Sequence, residues 1–576
     1  MTGPSIPTGA QRFIPILGWI GSYDRAWLRG DLVAGIAVAA LIVPKNLGYA
    51  GIAGIPLENG LYAAAAGAIL YAIFGTSRQI STGPSSSLAA VAASAVLAAG
   101  VSGQDDAAAL VATITVVSGV LFLVLAGLRM GWIASFLSRA VVTGFLFGAA
   151  IDVVIGELPK LTGTEVSGSN SLVELWSWLG SLAQAHAATA AVGIVALVVA
   201  FGVHAVSRSV PGALVLLVGG LAASRLLDLE SYGVALVGDI PSGLPTLALP
   251  TEGMLTDHFT VIVAASVALV MIGFSQTTGD ARAFAARHRY RIDVDQESVA
   301  QGVANIGAGL LQGMPVSTSL SASSLNDRSG ARSGLASLTS GVIVLLALMF
   351  LAPLFSDLPI PVLAALIIEA VTKGMMDVPE MRRLARVQPF DFWIAVTAIA
   401  STLVFGVLAG VLIGIVLSLV WLVSVATRPR IPLLAREPGT RVLREIDAYD
   451  GLEPTPGAAI LRLDGGLFFA TSDALGDRVR EVAVAPGDVT TIVLDCGGIG
   501  FIDSQGAAKL HEIVEFARGA GITLRLARVK PQVRAVLERD GFLERMGEER
   551  IHGNVEEALA EGAARQAEGT QPRSGA

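Results

Sequence analysis

The sequence predicts a polytopic α-helical membrane protein of fourteen spans, in two sets of seven, followed by a small cytoplasmic α/β domain. Three observations predict it. The 576 residues are 53% hydrophobic and only 15% charged, with a mean hydropathy of +0.67, whereas a soluble protein carries about a quarter charged residues. The charge is uneven: residues 31–427 hold long charge-poor runs, and residues 428–576 are ordinary and polar. Two serine-rich segments, each containing a proline, interrupt the apolar chain, one in each half: Gly83-Pro84-Ser85-Ser86-Ser87 and Met314-Pro315-Val316-Ser317-Thr318-Ser319.

The first set of apolar stretches lies near 33–50, 57–74, 85–100, 108–127, 133–155, 186–204 and 211–227. The second lies near 258–278, 296–312, 319–327, 332–354, 361–376, 390–405 and 406–427. A full crossing takes about 20 apolar residues, and the short stretches follow the two breaks or flank a glycine. Twelve full helices plus two half-helices is therefore the same count. Arg78, Arg129, Arg139, Arg208, Arg282 to Arg291, Arg328, Arg332 and Arg382 to Arg386 fall in alternate loops, and the intervening loops carry mainly acids, among them Glu58, Asp105, Asp228 and Asp357. Lys160 alone clearly goes the other way. Basic loops stay on the cytoplasmic side, which predicts that both termini are cytoplasmic in the plasma (inner) membrane. The first residues lack a signal-peptide core, so targeting falls to the first span.

After Trp421 the chain leaves the membrane through Arg428-Pro429-Arg430-Ile431-Pro432. The expected organisation is a cytoplasmic segment over 1–30, a membrane domain over 31–427, a linker over 428–456, a folded domain over 457–564 and a disordered tail over 565–576. Ala459 to Leu463, Thr491 to Asp495 and Ile522 to Leu526 read as strands. Gly506 to Arg518, Lys530 to Asp540 and Val555 to Ala564 read as helices, the alternation of an α/β domain with a mostly parallel sheet.

The two breaks carry the functional signal. Non-helical backbone at membrane depth is tolerated only where protein buries it or a watery cavity meets it, and a matched pair of interrupted segments points to a central transport site. Each break frees a half-helix whose N–H groups and positive dipole end suit an anion. No basic stripe suggests nucleic acid. The single cysteine, Cys496, excludes an intrachain disulfide and a multi-cysteine metal site. The six histidines do not cluster, so no enzyme, metal or cofactor is expected.

The run Asp31 to Gly35, Pro44-Lys45-Asn46-Leu47-Gly48-Tyr49-Ala50, Gly54-Ile55-Pro56, Gly60-Leu61-Tyr62, Phe74 to Arg78 and Gly83-Pro84 resembles the sulfate permease (SulP) family of anion transporters. The tail string Leu494-Asp495 with Phe501-Ile502-Asp503-Ser504-Gln505-Gly506 is similar to the STAS domain that ends most members. The resemblance implies a seven-plus-seven inverted repeat, with a core (spans 1–4 and 8–11) carrying substrate against a gate (spans 5–7 and 12–14) in an elevator-like motion. It also implies a homodimer with cytoplasmic STAS domains, and sulfate as the first substrate to consider. Bicarbonate or a C4-dicarboxylate are rivals. A nucleobase-type symporter of the same fold is the alternative within transport, and a membrane-anchored STAS signalling protein with a degenerate core is the alternative outside it.

Ser85, Ser86, Ser87, Thr318, Ser319 and Ser321 offer hydroxyls and backbone N–H groups to one small anion, although small residues also permit close helix packing in lipid. Lys45 sits inside the first span, where an ionised lysine costs roughly 2.5–3.5 kcal/mol on insertion scales. The family usually has glutamine near this point, and an arginine at the start of the second half-helix, where this chain has Ala322. One reading is that Lys45 supplies the missing charge; the other is that it snorkels to an interface or pairs with an acid. Where relatives have a glutamate tied to proton coupling or an aspartate tied to sodium, this chain has Gln276, which cannot titrate. Asp280 follows one turn later on the same face and is the expected ion-coupling residue, unless it pairs with Arg282 or Lys45. Asp152 and Glu369 compete for that role; proximity to Lys160 and Lys373 explains them without it. Ser504 matches the serine that is phosphorylated in STAS relatives, and the same string also serves as a turn. A further cytoplasmic partner of the STAS domain would fit that reading.

Overall fold

The computed structural model describes residues 14–130, 138–166, 168, 170–206, 212–241, 243–485 and 489–560. The expected disordered tail 565–576 and the segment before Ile14 lie outside the described residues. The chain divides into two compact units, Met1–Leu419 and Val420–Ala576.

Fourteen membrane segments follow one another among the described residues of the long helical part. They are α1 (Leu28–Ala53), α2 (Leu57–Phe74), α3 (Ser86–Ala99), α4 (Gln104–Gly127), α5 (Arg139–Thr162), α6 (Ala187–Val206) and α7 (Gly212–Leu227), then α8 (Phe259–His288), α9 (Val294–Leu310), α10 (Leu320–Arg328), α11 (Leu335–Phe350), α12 (Ile360–Met375), α13 (Pro389–Phe405) and α14 (Val407–Ala426). Six of them, α1, α2, α4, α5, α8 and α14, are long and apolar enough to cross a membrane by length and composition alone. The third segment of each set of seven, α3 and α10, is a half-helix preceded by a two-residue strand, β1 (Thr82–Gly83) and β2 (Ser317–Thr318). These strands pair antiparallel, Thr82 opposite Thr318 and Gly83 opposite Ser317. The two breaks thus meet head to head in the middle of the bundle.

Packing sorts the helices into two groups. α4 packs on α8 and α9, α2 on α9 and α11, and α1 on α2, α3 and α11; α5 packs on α12 and α13, and α12 on α6. This is the core-and-gate division that the resemblance implied. Apolar burial gives helices little drive to associate in lipid, so close approach of backbones does the work. A Cβ on Gly119 of α4 would lie 2.7 Å from the Gly302 carbonyl oxygen of α9. A Cβ on Gly144 of α5 would lie 2.7 Å from Ala395 Cα of α13. Two amphipathic helices that apolarity alone does not reveal, Ser171–Ser181 and Val378–Val387, follow α5 and α12. In the second, Glu380 is held below the usual carboxylate range by its hydrogen bonds to Arg383 and by Arg139.

The second unit carries a six-stranded sheet in the order β4-β3-β5-β6-β7-β8. Its strands are β3 (Leu433–Arg436), β4 (Leu443–Glu445), β5 (Ala458–Arg462), β6 (Thr491–Asp495), β7 (Thr523–Ala527) and β8 (Ile551–His552). From β5 to β8 the pairing is parallel, as the alternation of strands and helices predicts. The stretch read as a linker, 428–456, contains β3 and β4, an antiparallel hairpin added to the sheet edge. Ser472–Val484 is a further helix, and Ser504–Gly519 begins two residues before its expected start. Leu461, Leu463, Ile492, Leu494, Leu510 and Leu526 form the centre of the buried core. Cys496 is buried there, and burial first, then Asp495, pushes its thiol up to about 12, so it is not a reactive thiolate.

Candidate functional site

Each break is built the same way. Ser85 caps α3 by accepting the Leu88 N–H at 3.5 Å, and Ser319 caps α10 by accepting the Ala322 N–H at 3.4 Å. In each case the cap hydroxyl also meets the hydroxyl two positions on, Ser87 at 3.0 Å and Ser321 at 3.3 Å. The first N–H groups of a helix have no intrahelical acceptor, so both half-helices present donors toward the strand pair.

A clamp that the sequence did not reveal fixes the strands. Asn305 of α9 donates to the Val316 carbonyl and accepts from the Val316 N–H, at 2.9 and 3.0 Å. Gln301 donates to Thr82 Oγ1 at 3.2 Å. Ser323 accepts the Ser81 N–H at 2.9 Å, and the Ser319 N–H reaches the Ser81 carbonyl at 3.1 Å. The signal was there, since two amides one turn apart inside an apolar span need partners, but their partners lie far along the chain.

One small cavity joins the two breaks. Lys45, Asn46 and Tyr49 of α1 line it with Ser81 to Pro84, Ser319, Ser321 and Ala322. Lys45 therefore shares a cavity with Pro84, just before α3, and with the first turn of α10, where Ala322 holds the position of the family's arginine; Ser85, Ser86, Ser87, Thr318 and Gln276 do not line it. Among the described residues no carboxylate lies within ion-pairing distance of Lys45. The charges whose fields reach it are Glu369 and Lys373, which pair with each other at 2.7 Å.

α8 ties the two breaks together. Gln276 donates to Ser87 Oγ at 3.2 Å and accepts from Ser317 Oγ at 2.7 Å, so one amide bridges both breaks. Asp280, one turn on, accepts from Thr318 Oγ1 at 3.0 Å. It forms no ion pair with Arg282 or Lys45 among the described residues. Asp152 accepts a hydrogen bond from Ser171, and Glu157 pairs with Lys160 at 2.7 Å, so both acids are partnered within the gate.

In the tail unit Ser504 is the exposed first residue of its helix. Asp503 accepts from the Gly506 N–H at 2.7 Å and the Phe469 N–H at 3.0 Å, and a Cβ on Gly506 would lie 2.9 Å from the Leu467 carbonyl carbon. The Asp and the Gly of this string are therefore explained by the turn, and Ser504 is not.

The model of the sulfate permease family matches residues 28–398, and that of the STAS domain matches 452–558. A probable sulfate transporter of Mycobacterium tuberculosis is 34% identical over 92% of this chain and 94% of its own length. The chloroplastic sulfate transporter 4.1 of Arabidopsis thaliana is 30% identical over 95% of this chain and 82% of its own. Among solved structures, the murine solute carrier 26 family member A9 anion transporter in the inward-facing state superposes with a TM-score of 0.88 over 98% of this chain and 96% of that one, at 20% identity. The likeness extends to the fold of both units.

Proposed function

The chain belongs to the sulfate permease family, and from that premise we propose that it carries sulfate across the plasma (inner) membrane, driven by protons. The broader class is a multi-pass secondary transporter of an inorganic anion, not an enzyme. The core helices α1–α4 and α8–α11 carry the anion past the gate helices in an elevator-like movement. The observation that carries this reading is the meeting of Lys45, the residues leading into α3 and the first turn of α10 in one cavity. Two dipole ends, the hydroxyls of Ser85, Ser86, Ser87, Thr318, Ser319 and Ser321 and one ammonium hold an oxyanion without fully neutralising it, so it can leave. Gln276 ties the two breaks into one unit. Asp280, joined to β2 through Thr318, is the group that couples the proton, with sodium as its rival.

The alternation of basic and acidic loops supports cytoplasmic termini. The membrane domain then spans 31–427, and the STAS domain, with the β3–β4 hairpin on its sheet edge, follows from Leu433. A homodimer with its STAS domains on the cytoplasmic side, where Ser504 offers a phosphate acceptor at a helix N-terminus and a partner could bind, completes the proposal.

The test is uptake of radiolabelled sulfate by purified protein in liposomes, with and without an inward proton gradient. Gradient-driven accumulation is expected. Uptake indifferent to the gradient would remove proton coupling. No uptake in either condition would remove sulfate and direct the same vesicles to bicarbonate and dicarboxylates.

A further inference from the structure

A second cavity, of about 530 Å³, opens at the end of the core where the arginine-bearing loops gather. It shares no lining residue with the Lys45 cavity. Arg78 enters it from the loop after α2, Arg291 from the turn between α8 and α9, and Arg332 from the turn before α11. Trp19 and Trp27 enter it from the segment that precedes α1. All three arginines are exposed, and among the described residues none lies within ion-pairing distance of a carboxylate.

The nearby acids are engaged elsewhere. Asp31 accepts from the N–H groups of Arg332 and Ser333, from Ser333 Oγ and from Tyr23. Glu297 accepts from Thr76, Ser77 and Tyr71. Asp293 caps α9 by accepting from Asp295 and Gln296. Three guanidiniums thus face one space, and Asp293, which also lines it, pairs with none of them. Arg78 is steadied 5.5 Å from the Tyr290 ring.

The rim has a second character. Leu17, Ile20, Leu28 and Leu32 are each at least 40% exposed, next to two tryptophans, and tryptophan prefers the headgroup level of a bilayer. Cations and tryptophans thus line one cavity, and exposed aliphatic side chains flank those tryptophans along the chain. Arginine forks match phosphate oxygens, and basic pockets beside membrane helices suit anionic headgroups. We propose that this cavity binds the phosphate headgroup of an anionic phospholipid, with its acyl chains running along Leu17, Ile20, Leu28 and Leu32. The bound lipid fastens the segment before α1 to the ends of α2, α9 and α11. The leaflet is the cytoplasmic one in the orientation proposed above, but binding itself does not depend on that orientation or on the transported anion.

The test uses the full chain in nanodiscs of phosphatidylcholine mixed with phosphatidylglycerol, followed by native mass spectrometry of the released protein. Wild type is expected to retain phosphatidylglycerol in preference to phosphatidylcholine. Arg78→Gln, Arg291→Gln and Arg332→Gln should each lower that preference by roughly fivefold, and the triple variant should abolish it. Arg382→Gln, outside the cavity, should keep it. Quenching of Trp19 and Trp27 by brominated phosphatidylglycerol, assigned with Trp19→Phe and Trp27→Phe, reads the same site without release from the bilayer. Equal retention by wild type and every arginine variant would overturn the proposal. So would displacement of the lipid by inorganic phosphate alone, which would make the cavity a site for free anions.

Discussion

The two broken helices share a capping scheme and a strand pair, and differ in what stands behind them. Behind α3 stands α1, which brings a lysine, Lys45, to the cavity lined by Ser81 to Pro84. Behind β2 and α10 stands α8, the equivalent helix of the second seven, which brings Asp280 to Thr318. α3 is a 14-residue apolar helix with Ser86 and Ser87 buried. α10 has 9 residues, and its Ser321 is exposed. Lys45 thus stands on a buried frame beside the first break, and Asp280 beside the second, whose half-helix is shorter and more exposed. In the proposed mechanism Lys45 and both half-helix starts hold the anion, and Asp280, which forms no ion pair with Lys45 among the described residues, exchanges a proton beside it.

Substitutions can break the comparison at graded cost. Lys45→Ala removes the charge-assisted contact, about 1.5–3 kcal/mol, so the apparent KM for anion uptake should rise by roughly 10- to 100-fold. Ala322→Arg in that background should restore most of the loss, because both positions line one cavity; failure of rescue would mean that Lys45 acts through the frame and not through its charge. Gln276→Ala cuts both halves of the amide bridge, about 1 kcal/mol for each hydrogen bond. Uptake affinity should fall roughly tenfold, while Gln276→Glu should change the pH profile as well.

Asp280→Asn sharpens the other arm. It keeps the hydrogen bond with Thr318 and removes the titrating group, so anion exchange should persist with accumulation against a gradient lost. An unchanged pH dependence of uptake in this variant would make Asp280 structural. The smallest effect is expected of Ser321→Ala, where an exposed hydroxyl has water to replace it. A change of about twofold or less in uptake would separate it from Ser86→Ala, which removes a buried hydroxyl.

Much of this was legible because membrane helices advertise themselves through composition. The fourteen stretches, the two proline-led breaks and Lys45 stand out against an apolar background, where each polar residue is costly. Residues whose meaning depends on distant partners were harder to read. Gln301 and Asn305 are ordinary amides until β1 and β2 are brought against α9. Gln276 looked like a lost carboxylate, and the structure makes it the tie between Ser87 and Ser317. The helices Ser171–Ser181 and Val378–Val387 are too polar for an apolarity scan. The strands Leu433–Arg436 and Leu443–Glu445 are too short for alternation to show, and the rest of the sheet defines them.

Direct binding tests the central claim, that Lys45 and the two half-helix starts together hold the anion. Sulfate titrated calorimetrically into the purified full chain should bind wild type at one site per protomer, bind Lys45→Ala at least roughly tenfold more weakly, and recover in Lys45→Ala with Ala322→Arg. Equal affinity in wild type and Lys45→Ala would place the anion elsewhere and contradict the account.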